Sequence, residues 1–187
     1  MNIFCKTFNS LTEKERKGLT KIILFENYLK IRNARVTEIA DEDSYRQISL
    51  CMIQKLAHYS VFYNNCDLVT RNKSRIIANR ICYRPLWSNN LLNALIQEGL
   101  LLETLSTNLE SNLMQVEYEK MGDFFKAQAL LNSKMDNDQL EQFVLDMDKR
   151  VSATGYNGNK SKFVNMLTAL MALWHGRKKF MLSEHPR

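Results

Sequence analysis

The chain has little of what makes turns: 2 prolines and 6 glycines in 187 residues. Collagen-like and low-complexity classes are excluded by that scarcity, and long helices are favoured. Cysteines are few as well. Cys5, Cys51, Cys66 and Cys82 are separated by 46, 15 and 16 positions, contain no Cys-x-x-Cys pair, and are accompanied only by His58, His175 and His185. Structural zinc sites bring two ligands together on one turn, so the spacing predicts no metal centre and four free thiols. No apolar run approaches the roughly 18 residues of a membrane span. The opening residues Met1–Phe8 lack the basic region and apolar stretch of an export signal, so the expected location is the cytoplasm. What is present, 45% hydrophobic and 25% charged residues, is enough to bury a core.

The formal net charge of +6 is unevenly distributed. Residues 1–67 carry 10 basic and 8 acidic groups, residues 68–102 carry 5 and 1, residues 103–148 carry 3 and 10, and residues 149–187 carry 8 and 1. The net value is therefore a poor guide to partners, because a basic block is followed at once by an acidic one able to pair with it.

Hydrophobic spacing outlines the elements. Ser10-Leu-Thr-Glu13 reads as a capping box ahead of a helix over about 11–31, and Ile48, Cys51, Met52, Leu56, Tyr59 and Phe62 mark a second over about 42–63. Val36-Thr-Glu-Ile39, between them, is too short to assign. A weaker helix over about 72–82 is broken by Arg84-Pro85. A short helix follows, capped by Ser88 or Asn89 and closed by Gly99 in the left-handed position after its last turn. Leu100–Leu105 and Leu113–Tyr118 then read as two strands of a hairpin. Helix, helix, short helix and hairpin is the order of a winged helix. From Lys120 the pattern is helical again: Met121–Leu131, Leu140–Met147, and a third helix over about Lys160–His175 with Gly176 as its stop. Residues 163–174 of that helix are apolar nearly all round, which calls for cover on more than one side, from another chain or from further sequence. The predicted fold is thus mainly α: an N-terminal helix in 1–35, a winged-helix-like module with a small β-hairpin over 36–118, and a helical segment over 119–187 that opens an α-helical array.

Three segments taken together resemble a known family. Leu24-Phe-Glu-Asn-Tyr-Leu-Lys-Ile-Arg-Asn33, Leu91-Leu-Asn-Ala-Leu-Ile-Gln-Glu-Gly-Leu-Leu101 and Val116-Glu-Tyr-Glu-Lys-Met-Gly-Asp-Phe-Phe-Lys-Ala127 are similar to the region after the nucleotide-binding core of bacterial STAND ATPases, the NACHT-like proteins of antiphage defence. The resemblance covers about 22–131. It implies a winged helix and early helical scaffold that couple nucleotide state to a sensor, with the ATPase core as partner in cis or as a split subunit and an oligomer formed through the apolar helix 163–174. It also implies a nucleotide-sensing position at Met121-Gly122-Asp123. That triplet resembles the Met-His-Asp motif of the wider class, with Gly122 where the histidine would stand. What would survive is Asp123 as a carboxylate stabilising the first turn of its helix.

The family's catalytic parts are not legible. Gly155-Tyr-Asn-Gly-Asn-Lys-Ser161 has the wrong spacing for a phosphate loop and follows no apolar strand, so it reads as an interhelical turn. Val144-Leu-Asp-Met-Asp148 is spaced as a helix, which makes its carboxylates solvated rather than an Mg²⁺-binding strand end. Val116-Glu-Tyr-Glu-Lys120 puts Tyr118 where a nuclease needs a carboxylate, and Asp41-Glu-Asp43 stands at a helix start, where acids are expected anyway. The chain is therefore expected not to be an enzyme and to bind no cofactor alone, ATP or ADP and Mg²⁺ being implied only for the core. The alternative is a winged-helix nucleic-acid-binding protein using the basic residues Arg71, Lys73, Arg75, Arg80 and Arg84. Against it, the candidate recognition helix offers Asn89, Asn90, Asn93, Gln97 and Glu98 without a cation, and the wing carries Glu103, Glu110 and Glu117.

Overall fold

The structure is a computed structural model that describes residues 21–40, 46–64, 68–82, 88–105, 112–153 and 157–183. Its elements follow the order α1 (Lys21–Ala40), α2 (Ile48–Tyr63), β1 (Val69–Thr70), α3 (Arg71–Asn79), α4 (Ser88–Gln97), β2 (Leu101–Thr104), β3 (Leu113–Val116), α5 (Glu119–Leu131), α6 (Asn137–Ala153) and α7 (Asn157–Ser183). The fold is mainly helical with one small antiparallel sheet. β3 lies in the middle, with β2 on one side and β1, which comes from before α3, on the other. The register pairs Leu101 with Val116 and Thr104 with Leu113 across the hairpin, and Val69 with Met114 on the other edge.

Local chemistry explains several boundaries. Gly99 has φ 63°, and the N–H groups of Gly99 and Leu100 donate to the carbonyls of Ile96 and Leu95 at 3.0 and 2.8 Å. This pair of hydrogen bonds is a Schellman motif, and its flanking Leu95 and Leu100 are both fully buried. A Cβ on Gly99 would also lie 2.7 Å from Glu117 Oε2, a contact the exposed Glu117 side chain could relieve by swinging away, so it is the left-handed backbone that calls for glycine there. Thr70 caps α3 by accepting from Lys73 N–H. The N-cap residue of α2, Gln47, makes no side-chain cap. The cap comes from α1 instead: buried Asn33 accepts from Ser49 N–H at 3.0 Å and donates to the Arg46 carbonyl at 2.6 Å.

Two apolar clusters lie side by side. The larger joins Tyr28 and Leu29 of α1, Met52 and Ile53 of α2, Leu91, Leu92 and Leu95 of α4, Leu101 of β2 and Phe125 of α5. Each such side chain, when fully buried, contributes about 1.5–3 kcal/mol. Phe25 on Phe124 and Tyr28 edge-on to Tyr118, both at 5.4 Å between ring centres, fasten α1 to the start of α5. The smaller cluster takes Val61 from α2, Ala127 and Leu130 from α5, Met147 and Val151 from α6, and Phe163, Met166 and Leu170 from α7. α5 and α2 are common to both.

Several expectations are corrected. The first helix does not stop near 31: α1 continues through Val36-Thr-Glu-Ile39 to Ala40, because Val36 and Ala40 are buried on the face that carries Leu29. The boundary expected at 35/36 therefore falls inside a helix. β1 was not foreseen, since two residues carry no period; β3 makes it a strand. α7 passes through Gly176 to Ser183 rather than ending there. Residues 157–161 of the expected interhelical turn form the start of α7, whereas 154–156, the Ser10 capping box, Asp41-Glu-Asp43, Cys5, Cys66, Arg84, Asn89 as a side chain and Glu110 lie outside what the structure describes. Val144–Asp148 is helical as expected, with Asp146 3.6 Å from Lys149. The apolar helix is covered on one side only: Phe163, Met166 and Leu170 are buried, whereas Val164 and Met171 are exposed. No described helix is long and apolar enough to cross a membrane.

Candidate functional site

Met121, Gly122 and Asp123 occupy the second half of the first turn of α5 and the residue beyond it, directly under β3. Met121 is fully buried in the larger cluster. Gly122 faces β3 so closely that a Cβ would sit 3.3 Å from Val116 Cβ, which explains glycine at this position by the approach of helix to strand. Asp123 does not cap the helix. The N-cap is Tyr118, with no side-chain bond, and Glu119 is the acid of the first turn. Asp123 instead points into a cleft of about 60 Å³ between α2, β3, α5 and α7, bordered by Ser60, Gln115, Glu119, Lys126 and Lys162. Its carboxylate is buried and lies 3.6 Å from Lys126 Nζ. Burial pushes its pKa above the ordinary range, Lys126 pulls it back, Glu119 pushes it up again and Lys162 lowers it.

Pockets that hold drug-sized ligands span roughly 300–1,000 Å³. The cleft is far smaller, and the triplet is buried. As it stands, the cleft has no room for a nucleotide against Asp123. The pairing of Asp123 with Lys126 is visible in the sequence as neighbours three apart on a helix. Lys162, 39 positions away, carries no such signal and is brought there only by the packing of α7 on α5.

The basic stretch is dispersed by the fold. Arg71 forms an ion pair with Glu103 of β2 and donates to Asn93 Oδ1 at 2.8 Å, while Asn112 holds the other oxygen of Glu103 at 2.8 Å. The hydrogen bond from Asn112, with the Arg71 bond and charge, holds the Glu103 carboxyl below its ordinary range against the opposing cost of desolvation. Lys73 lies with Nζ 5.3 Å from the centre of the Tyr59 ring. Arg75 on α3 and Arg80, the C-cap just past its end, are exposed. Thus the basic and acidic blocks do meet, but through Arg71 and Glu103 alone among these residues.

The outer face of α4 is also re-sorted. Asn90, Asn93 and Gln97 are exposed, whereas Glu98 turns inward and pairs with Arg32 of α1 at 2.7 Å, only 8% exposed. Burial opposes the charge on Arg32, yet the Glu98 bond and the neighbouring Tyr28 raise its pKa above its already high value. Glu117 is exposed beside Gly99. Among the described residues no three His, Cys, Asp or Glu side chains are grouped to hold a metal. No family model matches the chain, and no curated protein or solved structure matches it.

Proposed function

We propose that the chain is a regulatory and scaffolding portion of a STAND/NACHT-like defence ATPase, in which a winged-helix module passes the nucleotide state of a separate core into a helical sensor. One observation carries the proposal: α5 follows β3 after two residues and packs into both apolar clusters, so a rotation of the β1-β3-β2 module would displace α7 as well. The strand order, with β1 reaching across to β3 between α2 and α3, fits the winged-helix reading. The core is the partner, in cis or as a split subunit, and ATP or ADP with Mg²⁺ belongs to it. Val164 and Met171 on α7 offer the uncovered side through which a longer array or a second chain would continue.

The test is reconstitution. Co-expressed with a phosphate-loop polypeptide encoded in the neighbouring DNA, the chain is expected to co-purify with it and to change its protease-cleavage pattern near 118–119 between ADP and ATP. Tight ATP binding by the chain unaided, or failure to associate with any such polypeptide, would overturn the proposal.

A second reading, a duplex-binding winged helix, is favoured by the acid-free amide face Asn90, Asn93 and Gln97 on α4. Its cation is the difficulty, because Arg71, the residue nearest that face, is already tied to Glu103. Binding to duplex DNA with a steep salt dependence would decide for this reading.

A further inference from the structure

The last turns of α2 carry an aromatic stripe whose inner rings, Tyr59 and Phe62, pack on the two clusters and whose outer ring, Tyr63, does not. His58, Tyr59, Phe62 and Tyr63 recur at helical spacing after Lys55, and Tyr63 is 69% exposed. Tyr59 rests against the larger cluster, and its ring stacks on Tyr63 with centres 5.6 Å apart and planes 24° apart. His58 lies 4.6 Å from Phe62 and 6.1 Å from Tyr63. Lys73, from α3, stands over Tyr59. The pattern is an anchored ring, an outer ring stacked on it with a face toward solvent, and cations alongside.

Charge reinforces the pattern. α2 and α3 contain no Asp or Glu, and Lys55, Lys73, Arg75 and Arg80 make no ion pair among the described residues. Acid comes from two neighbouring helices among the described residues: Phe62 meets Phe143 of α6, a helix carrying Asp138, Glu141, Asp146 and Asp148, and Leu56 and Ser60 share a cleft with Glu119 and Asp123 of α5. A polyanion crossing the stripe is therefore steered to the α3 side. An exposed ring stacked on a partly buried one, with cations from α2 and α3 alongside, suits one ligand class above others: an unpaired nucleic-acid strand, whose bases present π-faces and whose backbone presents phosphates. An acidic polypeptide would match the charge but leave the Tyr63 face without a partner.

We propose that Tyr59 and Tyr63 form a stacking platform for single-stranded nucleic acid, with Lys55 and Lys73 contacting its phosphates, without sequence preference. The surface is distinct from the outer face of α4, and the inference depends on neither reading of the protein's overall role.

Fluorescence anisotropy of the full chain with labelled oligo-dT and oligo-U, at several salt concentrations, tests it. Both strands are expected to bind. Tyr63→Ala should weaken binding about tenfold while Tyr63→Trp retains it, since a base on an aromatic ring contributes about 1–3 kcal/mol and 1.4 kcal/mol is a factor of ten. Lys73→Gln should reduce the salt slope by about 0.7, the loss of one phosphate contact on a single strand. Matching circular dichroism and melting of the variants guards against unfolding. The inference is overturned by absence of binding at low salt, by an unchanged affinity in Tyr63→Ala, or by poly-Glu binding with the same dependence on Tyr63.

Discussion

Gly122 and Asp123 show how a neighbouring element decides what a side chain does. A histidine at position 122, as the resembling motif has it, would drive its Cβ to 3.3 Å from Val116 and its ring into β3. Gly122→His is expected to destabilise by about 1–3 kcal/mol, the range for overpacking, measured by urea unfolding; an unchanged midpoint would mean that β3 yields freely. The two perturbed carboxyls act in opposite directions with pH. Glu103 titrates below its unfolded value, so its contribution is full above the unfolded pKa and lost as pH falls through the folded one. Asp123 titrates above its unfolded value, so it costs stability at neutral pH and that cost disappears as pH falls through the raised folded pKa. Compared across pH 3–7, Glu103→Gln is expected to lie below the parent chain and Asp123→Asn above it near neutrality, each difference shrinking in acid. The same sign for both variants at pH 7 would refute the assignment.

Helix starts in this protein are set in two ways, and their sensitivities differ. α3 has a local cap, Thr70, with a long 3.4 Å bond. α2 borrows its cap from α1 through Asn33, which is 1% exposed and makes two bonds to the segment 46–49. Asn33→Ala removes the acceptor of the buried Ser49 N–H together with the bond to the half-buried Arg46 carbonyl and should cost about 1–3 kcal/mol, while Thr70→Ala should cost under about 1 kcal/mol. Chemical denaturation of both variants checks the ranking, and a larger loss for Thr70 would reverse it. Thr37 reinforces the same turn of α1 by donating from its hydroxyl to the Asn33 carbonyl at 2.9 Å. Of the helices expected over 11–31 and 42–63, the parts that the structure describes as helix, 21–31 and 48–63, were legible from hydrophobic spacing, and Gly99 was legible as a cap because its signal is local. The continuation of α1 to Ala40 was not, since Val36-Thr-Glu-Ile39 takes its helical state from burial against α2 and α4.

Across the molecule, burial is uneven. Of the 17 residues of α6 only Met147 and Val151 are buried, whereas α2 buries eight of 16. Amide exchange is therefore expected to be fastest in α6, intermediate in α7 and slowest in α2 and α4. Phe163→Ala, at about 3–5 kcal/mol, should release α7 and the second half of α5 before the larger cluster opens. Equal protection of α6 and α2 would show that the two clusters unfold as one. The candidate site divides along the same line. Basic and acidic blocks, the amide-bearing helix and the triplet 121–123 could be read as residue types in order. The inward turn of Glu98 toward Arg32, the Arg71–Glu103 pair and the approach of Lys162 to Asp123 join residues 66, 32 and 39 positions apart.

The sequence by itself determined a mainly helical chain, the hairpin, the glycine cap at 99 and the segregation of charge, because each depends on neighbours a few positions away. Tertiary structure alone decided that β1 is a strand, that α1 and α7 outrun their expected ends, that Asp123 is buried rather than a cap, and that α7 keeps one apolar side uncovered. Those outcomes depend on which faces meet, and burial, desolvation and ion pairing take their sign only once distant segments are packed together.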